Sequence, residues 1–198
     1  MAGFSCTIRI SAMDETHIYT IRCKFPVGEL ELGSVGDWLC LSLWPCSTHY
    51  EAVRRRLSKG FGATIVDGQW TDVLREAVEE LRQNFFRAYD MNPLPLRTFG
   101  TELQQEVWRQ VARIPVGSTV SYSELAAMAG HPTAVRAVAS AVGTNALNLF
   151  IPCHRVLPAD GSLGNYAGLP YCKYRLLRLE GVDIEYRHRV PYGHSRVE

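Results

Sequence analysis

Residues 17–25 alternate along the chain, with Ile18, Thr20, Arg22 and Lys24 on one side and Tyr19, Ile21, Cys23 and Phe25 on the other. A period of two predicts a strand. Pro26-Val27-Gly28 reads as a turn. Residues 29–32 and 38–44 are further β-like runs, and Gly33-Ser34-Val35-Gly36-Asp37 reads as the hairpin loop between them. A small antiparallel sheet is expected. The period then lengthens. Over residues 71–89, Leu74, Val78, Leu81 and Phe85 form one stripe, and Asp72 and Glu76 suit the positive N-terminal end of a helix. Met91-Asn92-Pro93-Leu94-Pro95-Leu96 breaks this helix, so residues 92–96 are expected to link a domain of residues 1–91 to one of residues 97–185.

The second half reads as mostly helical. Thr101 and Gln104 have the spacing of a capping box, followed by Leu103, Val107, Val111 and Ile114 facing inward. Ser121 and Glu124 repeat the device before Leu125, Ala126 and Met128, and Gly130 stops that helix. A third helix is expected from Pro132 to Gly143 through Val135, Val138 and Val142. Two short helices around a glycine-containing turn have the layout of a helix-turn-helix, whose second helix enters DNA, although plain bundles share that layout. On this second helix Ala134, Ala137, Ala139, Ser140 and Ala141 are small, and Arg136 is the one charge. A last helix is expected over residues 172–180, with Tyr174, Leu176 and Leu177 apolar and Gly181 ending it. Residues 186–198 read as a polar tail.

Composition changes this picture little. The 198 residues are 46% hydrophobic, ample for a core, and the formal net charge of +1 gives no global nucleic-acid signal. The halves differ, however. Residues 1–91 carry 10 basic and 12 acidic side chains, and residues 92–198 carry 11 and 8. The six cysteines are scattered, which fits a reduced, intracellular setting rather than a disulfide framework. Cys40, Cys46 and His49 match no closed zinc pattern. Arg54-Arg55-Arg56 reads as a solvated helix face.

Chemistry concentrates in Ile151-Pro152-Cys153-His154-Arg155-Val156. The apolar run of residues 147–151, interrupted only by Asn148, leads to a thiol with an imidazole beside it. A free cysteine has a pKa of about 8.5 and is mostly protonated near neutrality, so a neighbouring base is the usual route to a thiolate. If the segment is extended, neighbouring side chains diverge, and His154 reaches Cys153 only through a bent backbone or a water. Glu180 falls at the negative end of the last helix, an unfavourable place for a carboxylate, and so needs a partner such as a histidine.

The hexapeptide resembles the active-site signature of the O6-alkylguanine-DNA alkyltransferases, the methylated-DNA–protein-cysteine S-methyltransferases, and the similarity extends over residues 117–181. Val120-Ser121-Tyr122 with Glu124-Leu125-Ala126 is similar to the family's first motif helix, and Ala134 to Val138 to its DNA-reading helix. Asn165-Tyr166-Ala167-Gly168 is similar to its substrate loop, and Leu179-Glu180-Gly181 to its C-terminal acid. The resemblance implies an α+β protein. A small N-terminal α/β domain, ribonuclease H-like, would precede a helical winged-helix or helix-turn-helix domain.

The same resemblance implies single-turnover transfer of an alkyl group from O6-alkylguanine, and from O4-alkylthymine, to the protein itself after base flipping. Cys153 would accept the group, His154 would take the thiol proton through a water, and Glu180 would orient His154. Tyr122 would assist the departing base. Arg136 would fill the gap left by the flipped nucleotide, with Ala134 and Ala137 beside it. Asn145 would hold the turn before the active segment, and Val156, Tyr166, Ala167 and Gly168 would line the pocket. It further implies no metal or organic cofactor, double-stranded DNA as partner, a monomer without an obligate protein partner or membrane, and a cytoplasmic location in a prokaryote or a nuclear one in a eukaryote. Leu169-Pro170 stands where the family has a second glycine, which predicts a stiffer pocket rim. Two other readings compete. A Cys-His-Glu amide hydrolase is disfavoured by Pro152 and by the lack of a glycine after Cys153. A non-catalytic lesion binder of the alkyltransferase-like kind is disfavoured by the presence of Cys153.

Overall fold

The computed structural model describes residues 15–84 and 94–184. Phe85 to Pro93, the first 14 residues and the expected tail therefore lie outside it. The first half forms a four-stranded sheet in the order β3-β2-β1-β4. β1 (His17–Phe25), β2 (Gly28–Val35) and β3 (Trp38–Leu43) are antiparallel neighbours. The turn between β2 and β3 is only Gly36-Asp37, so Gly33 to Val35, expected as loop, belong to the ladder. β4 (Thr64–Asp67) was not expected, because its four residues are only half apolar. It pairs parallel with β1 and makes the sheet mixed.

Both sheet faces are covered, which explains why β1 alternates between two sets of neighbours rather than between core and water. Ile21, Cys23 and Phe25 face one cluster, together with Leu74, Ala77, Val78 and Leu81 of α2 (Asp72–Asn84). Ile18 faces the other, with Val53 and Leu57 of α1 (Tyr50–Phe61). Full burial of a leucine such as Leu57 stabilises by about 1.5–3 kcal/mol. The arginine run lies on α1 but is not simply solvated. Arg54 pairs with Glu31 and Asp67, Arg56 donates to Thr144 O at 2.7 Å, and only Arg55 is freely exposed.

The second half contains α3 (Glu102–Val111), α4 (Tyr122–Met128), α5 (Val135–Gly143) and α6 (Pro170–Leu179), with the two-stranded pair β5 (Val120–Ser121) and β6 (Val156–Leu157). Both capping boxes form, each with its reciprocal pair of bonds. α5 starts at Val135 instead of Pro132, because Ala134 N donates to His131 O and closes a turn first. α6 starts earlier than expected, at Pro170, where the missing N–H costs nothing. The molecule is α+β, and one apolar cluster runs from Leu30 and Leu74 through Trp108 and Leu125 to Val156 and Leu176.

The outer edge of β3 positions the site. Its first part pairs with residues 95–97, through Leu39 N to Pro95 O and Arg97 N to Leu39 O. Its last part pairs with residues 146–148, through Ser42 N to Ala146 O and Asn148 N to Ser42 O. A sheet edge that would otherwise be bare is thereby used to fix the approach to Cys153.

Candidate active site

Asn148 is the anchor of this approach. It is fully buried, its Nδ2 donates to Ser42 O at 3.0 Å, and its carbonyl accepts from Ser42 Oγ at 2.7 Å. Next comes Leu149, at φ 76°, a left-handed conformation that an ordinary side chain avoids. Such strain costs about 1–3 kcal/mol and persists only where neighbours enforce it. Here Ser42 grips one side, and on the other Ile151 N donates to Leu147 O at 2.8 Å. Asn145 spans the same turn, its Nδ2 donating to Ile151 O at 2.8 Å and its Oδ1 accepting from Leu147 N at 2.9 Å.

Cys153, His154 and Arg155 then form a single 3-10 turn, not an extended segment. The bend separates the tasks of the three side chains. Cys153 Sγ donates to Asn148 Oδ1 at 3.3 Å. Burial pushes its thiol pKa up, against the opposing pull of the Asn145 amide and the Lys173 charge. The resting group is thus a thiol, and its ionisation needs a base.

His154 has no exposed surface, and its Nε2 lies 2.8 Å from Glu180 Oε1. Burial would raise the Glu180 carboxyl, but hydrogen bonds from His154 and Arg155 hold it at about 2. It is therefore ionised and can only accept, so Nε2 carries the hydrogen of the neutral ring and Nδ1 is the bare, basic nitrogen. Nδ1 is buried and has no hydrogen-bond partner among the described residues. Burial, with the charges of Arg155 and Lys173, lowers the His154 pKa despite Glu180, so the ring stays neutral. A neutral imidazole beside a protonated thiol can deprotonate it directly or through one water.

Glu180 is the C-cap of α6, and the partner its position demanded is double. Besides His154, Arg155 grips it with Nε at 3.0 Å from Oε2 and Nη2 at 2.9 Å from Oε1, while Nη1 donates to Ile114 O at 2.6 Å. A two-pronged arginine–carboxylate pair is geometrically strict, so Arg155 fixes the carboxylate that fixes the imidazole. Lys173 is a further buried cation. Its Nζ donates to Val156 O at 2.7 Å, and burial lowers its pKa to about 8, with Cys153 opposing.

The remaining expected residues fall into two groups. Tyr122 opens α4 half-buried, and burial, then the nearby Cys153, raises its phenol pKa. Val156 is buried in β6 opposite Val120. Tyr166 stands edge-on to His154 with ring centroids 6.5 Å apart, Ala167 is half-buried, and Gly168 is buried. By contrast, Arg136 and Ala137 are exposed on α5, and Ala134, its N-cap, is half-exposed. They lie on a helix face open to a partner. The stiff rim expected from Leu169 loses the argument it rested on. Leu169 has φ −77° and is 56% exposed, so no glycine-like conformation is required there.

Arg155, Lys173 and Asn148 were missed as site residues. Asn148 and Lys173 carried a signal, each being a polar side chain inside an apolar stripe, whereas Arg155 carried none beyond its place in the hexapeptide. Lys173, not Tyr174, sits with Cys172, Leu176 and Leu177 on the buried face of α6. Cys40 donates to Gly33 O and Cys46 is exposed. No cluster of three potential metal ligands occurs among the described residues.

Residues 102–182 match the family described as 6-O-methylguanine DNA methyltransferase, DNA binding domain. The regulatory protein Ada of Salmonella typhimurium is 54% identical over 92 residues, 46% of this chain and 26% of that protein. The chain thus spans about a quarter of that relative's length. The methylated-DNA–protein-cysteine methyltransferase of Methanosarcina acetivorans is 37% identical over 126 residues, which cover 62% of this chain and 81% of the relative. Among solved structures, Mycobacterium tuberculosis OGT in complex with DNA superposes with a TM-score of 0.67 at 32% identity, covering 82% of this chain and 92% of that one. With the hexapeptide turn folded against Glu180 and the similarity reaching across both halves, the chain belongs to the methylated-DNA–protein-cysteine methyltransferase family.

Proposed function

We propose that this protein repairs DNA by moving the alkyl group of O6-alkylguanine onto Cys153. The observation that carries the reading is a buried thiol one residue from a buried, neutral imidazole whose far nitrogen is held by Glu180. The bare Nδ1 of His154 takes the thiol proton through one water. The thiolate attacks the alkyl carbon, the S–C bond forms and the C–O6 bond breaks. The guanine anion takes a proton from Tyr122, and the proton removed by His154 restores the phenol. The thioether has no leaving group and no carbonyl for water to attack, so each molecule reacts once.

The site is too deep for a base still stacked in a duplex. The target nucleotide must rotate out, as for other proteins that do chemistry on a base. Arg136, Ala134 and Ala137 lie on the exposed face of α5 suited to the DNA, where Arg136 fills the vacated position. Asn145 holds the strained turn, and Val156, Tyr166, Ala167 and Gly168 shape the pocket. Intact mass after incubation with a duplex containing O6-methylguanine tests the reading. The expected result is a gain of one CH2, mapped to Cys153. Turnover of many lesions per molecule, or an unmodified thiol with the lesion gone, overturns it.

A further inference from the structure

Trp44 follows β3, far in sequence from the catalytic turn and outside the matched residues 102–182. Its indole is 1% exposed, and its buried Nε1 has no hydrogen-bond partner among the described residues. An orphaned buried donor carries an uncompensated desolvation cost. Phenylalanine would avoid that cost, so the indole contributes through its shape.

That shape is held between two positions lacking a Cβ. A Cβ on Gly168 would lie 3.1 Å from Cγ, Cδ1 and Cδ2 of the indole. A Cβ on Gly28, the first residue of β2 beside the β1–β2 turn and at φ 136°, would lie 3.1 Å from its Cζ3. The ring therefore touches the 164–169 loop on its pyrrole side and is backed by the sheet turn on its benzo side. The same turn holds α6, since Cys172 Sγ donates to Val27 O at 3.1 Å and Arg175 donates to Pro26 O at 3.0 Å. The loop is thus suspended between fixed points with the indole beneath it. From Trp44 the contact continues to Tyr166, edge-on with ring centroids 6.3 Å apart, and from Tyr166 to His154 at 6.5 Å.

We propose that Trp44 is a specificity-determining positioning residue, the wedge that sets how far the 164–169 loop stands from Cys153 and His154 and hence which alkyl groups are accepted. This rests on the alkyl-transfer reading. It gives the N-terminal half a role in the reaction without contact to DNA or base.

The test measures transfer rate constants from duplexes identical except for O6-methylguanine or O6-benzylguanine, so that DNA binding cancels in their ratio. Removing the wedge lets the loop yield to the larger group. Trp44→Ala raises the benzyl-to-methyl ratio about tenfold, the scale on which an apolar pocket distinguishes groups of different size. Trp44→Phe, which keeps a ring, raises it about threefold. Gly168→Ala, which drives the loop off the indole toward the pocket, lowers it. Leu57→Ala is the control, because Leu57 lies in the separate cluster under α1; it lowers the melting temperature and leaves the ratio in place. The wedge is refuted by a ratio within about twofold of wild type in Trp44→Ala. It is equally refuted by the same shift in Leu57→Ala, which would mean general softening. If Trp44→Ala does not fold, the Phe and Gly168 variants decide, and an absent or reversed shift in them refutes it. A wild type that accepts neither group marks instead the failure of alkyl transfer itself, and the wedge falls with it.

Discussion

Among the described residues, two arginine–glutamate clusters each hold a buried glutamate, and only one of them can do chemistry. Under α1, Glu31 is paired with Arg54, which also reaches Asp67 at 3.0 Å and the Tyr50 hydroxyl at 2.8 Å. Arg22 and Thr20 close the group from β1. Beside α6, Glu180 is paired with Arg155, here through two nitrogens and both carboxylate oxygens. The difference lies in what each carboxylate does next. Glu31 and Asp67 are occupied with arginines and hydroxyls, groups that do not exchange protons near neutrality. Glu180 also holds an imidazole whose second nitrogen has no hydrogen-bond partner among the described residues, on the residue that follows a buried thiol. An ion pair alone fixes a helix. The same pair with a titratable ring and a nucleophile attached becomes a device for moving a proton.

The largest effect that separates the clusters is expected at Cys153. Cys153→Ser transfers nothing measurable, because a hydroxyl is far less acidic than a thiol. Arg54→Met, which breaks the other cluster, lowers the denaturation midpoint but leaves the transfer rate of the folded fraction unchanged. Intact mass and a urea titration on both variants check this. Transfer by the serine variant, or rate loss in Arg54→Met at full folding, removes the distinction.

His154→Ala comes next. Losing a general base slows transfer about 100- to 1,000-fold. The residual rate should climb tenfold per pH unit on approach to the thiol pKa, which burial has raised above 9.0. In wild type the imidazole pKa lies below 6.5, so its rate is flat through neutrality and falls only on the acid side. A rate–pH profile from about 5.5 to 9 distinguishes the two; parallel profiles would place the base elsewhere.

Glu180→Gln affects both stability and rate, which no substitution in the α1 cluster should do. Removing one member of a buried ion pair costs about 3–5 kcal/mol, because Arg155 remains without its counter-charge. The pH dependence has a definite sign. A carboxyl at about 2 when folded and near 4.5 when unfolded contributes stability that is complete above pH 4.5 and is lost as pH falls toward 2. Stability curves of wild type and Glu180→Gln should therefore converge below pH 4.5. Curves that stay parallel down to pH 2 would show that the carboxylate is not held by these partners.

Much of this was legible in the sequence, for reasons that differ by element. The alternation of β1, the capping boxes of α3 and α4, and the stripe of α2 as far as Leu81 are local signals, and each formed where its period or cap placed it, Phe85 lying outside the described residues. β4 was not legible, because a four-residue strand is defined by its pairing with β1 and not by its own pattern. Cys153, His154 and Glu180 stood out by residue type and by Glu180's poor position at a helix end. Arg155, Lys173 and Asn148 have roles that exist only once the 3-10 turn, α6 and the edge of β3 come together. The positive φ of Leu149 left no trace in the sequence, since it is imposed by Ser42 more than a hundred positions away. Trp44 had none either, because its partner Gly168 belongs to the other half.

The smallest expected effect concerns Lys173, which has no counterpart in the α1 cluster. It is a buried ammonium whose only hydrogen bond among the described residues is to the Val156 carbonyl, and its charge bears on Cys153. Folded, its pKa is about 8, and in the unfolded chain about 10.5. Between these values the unfolded chain holds more protons, so the lysine makes stability rise with pH across the window and level off above it. Below pH 8 both states carry the charge and the full burial cost remains. The thiols oppose this trend, because Cys40, pushed up to about 12, and Cys153 ionise more readily when unfolded. Subtraction isolates the lysine. In a Cys153→Ser background, which removes its coupling to the thiol, the stability of the Lys173 form minus that of Lys173→Met should rise from pH 8 to 10.5 and be flat on either side. Chemical denaturation at half-unit pH intervals measures it. A flat difference would mean that Lys173 keeps its proton throughout, solvated or paired, and that the field it imposes on Cys153 does not depend on pH in this range.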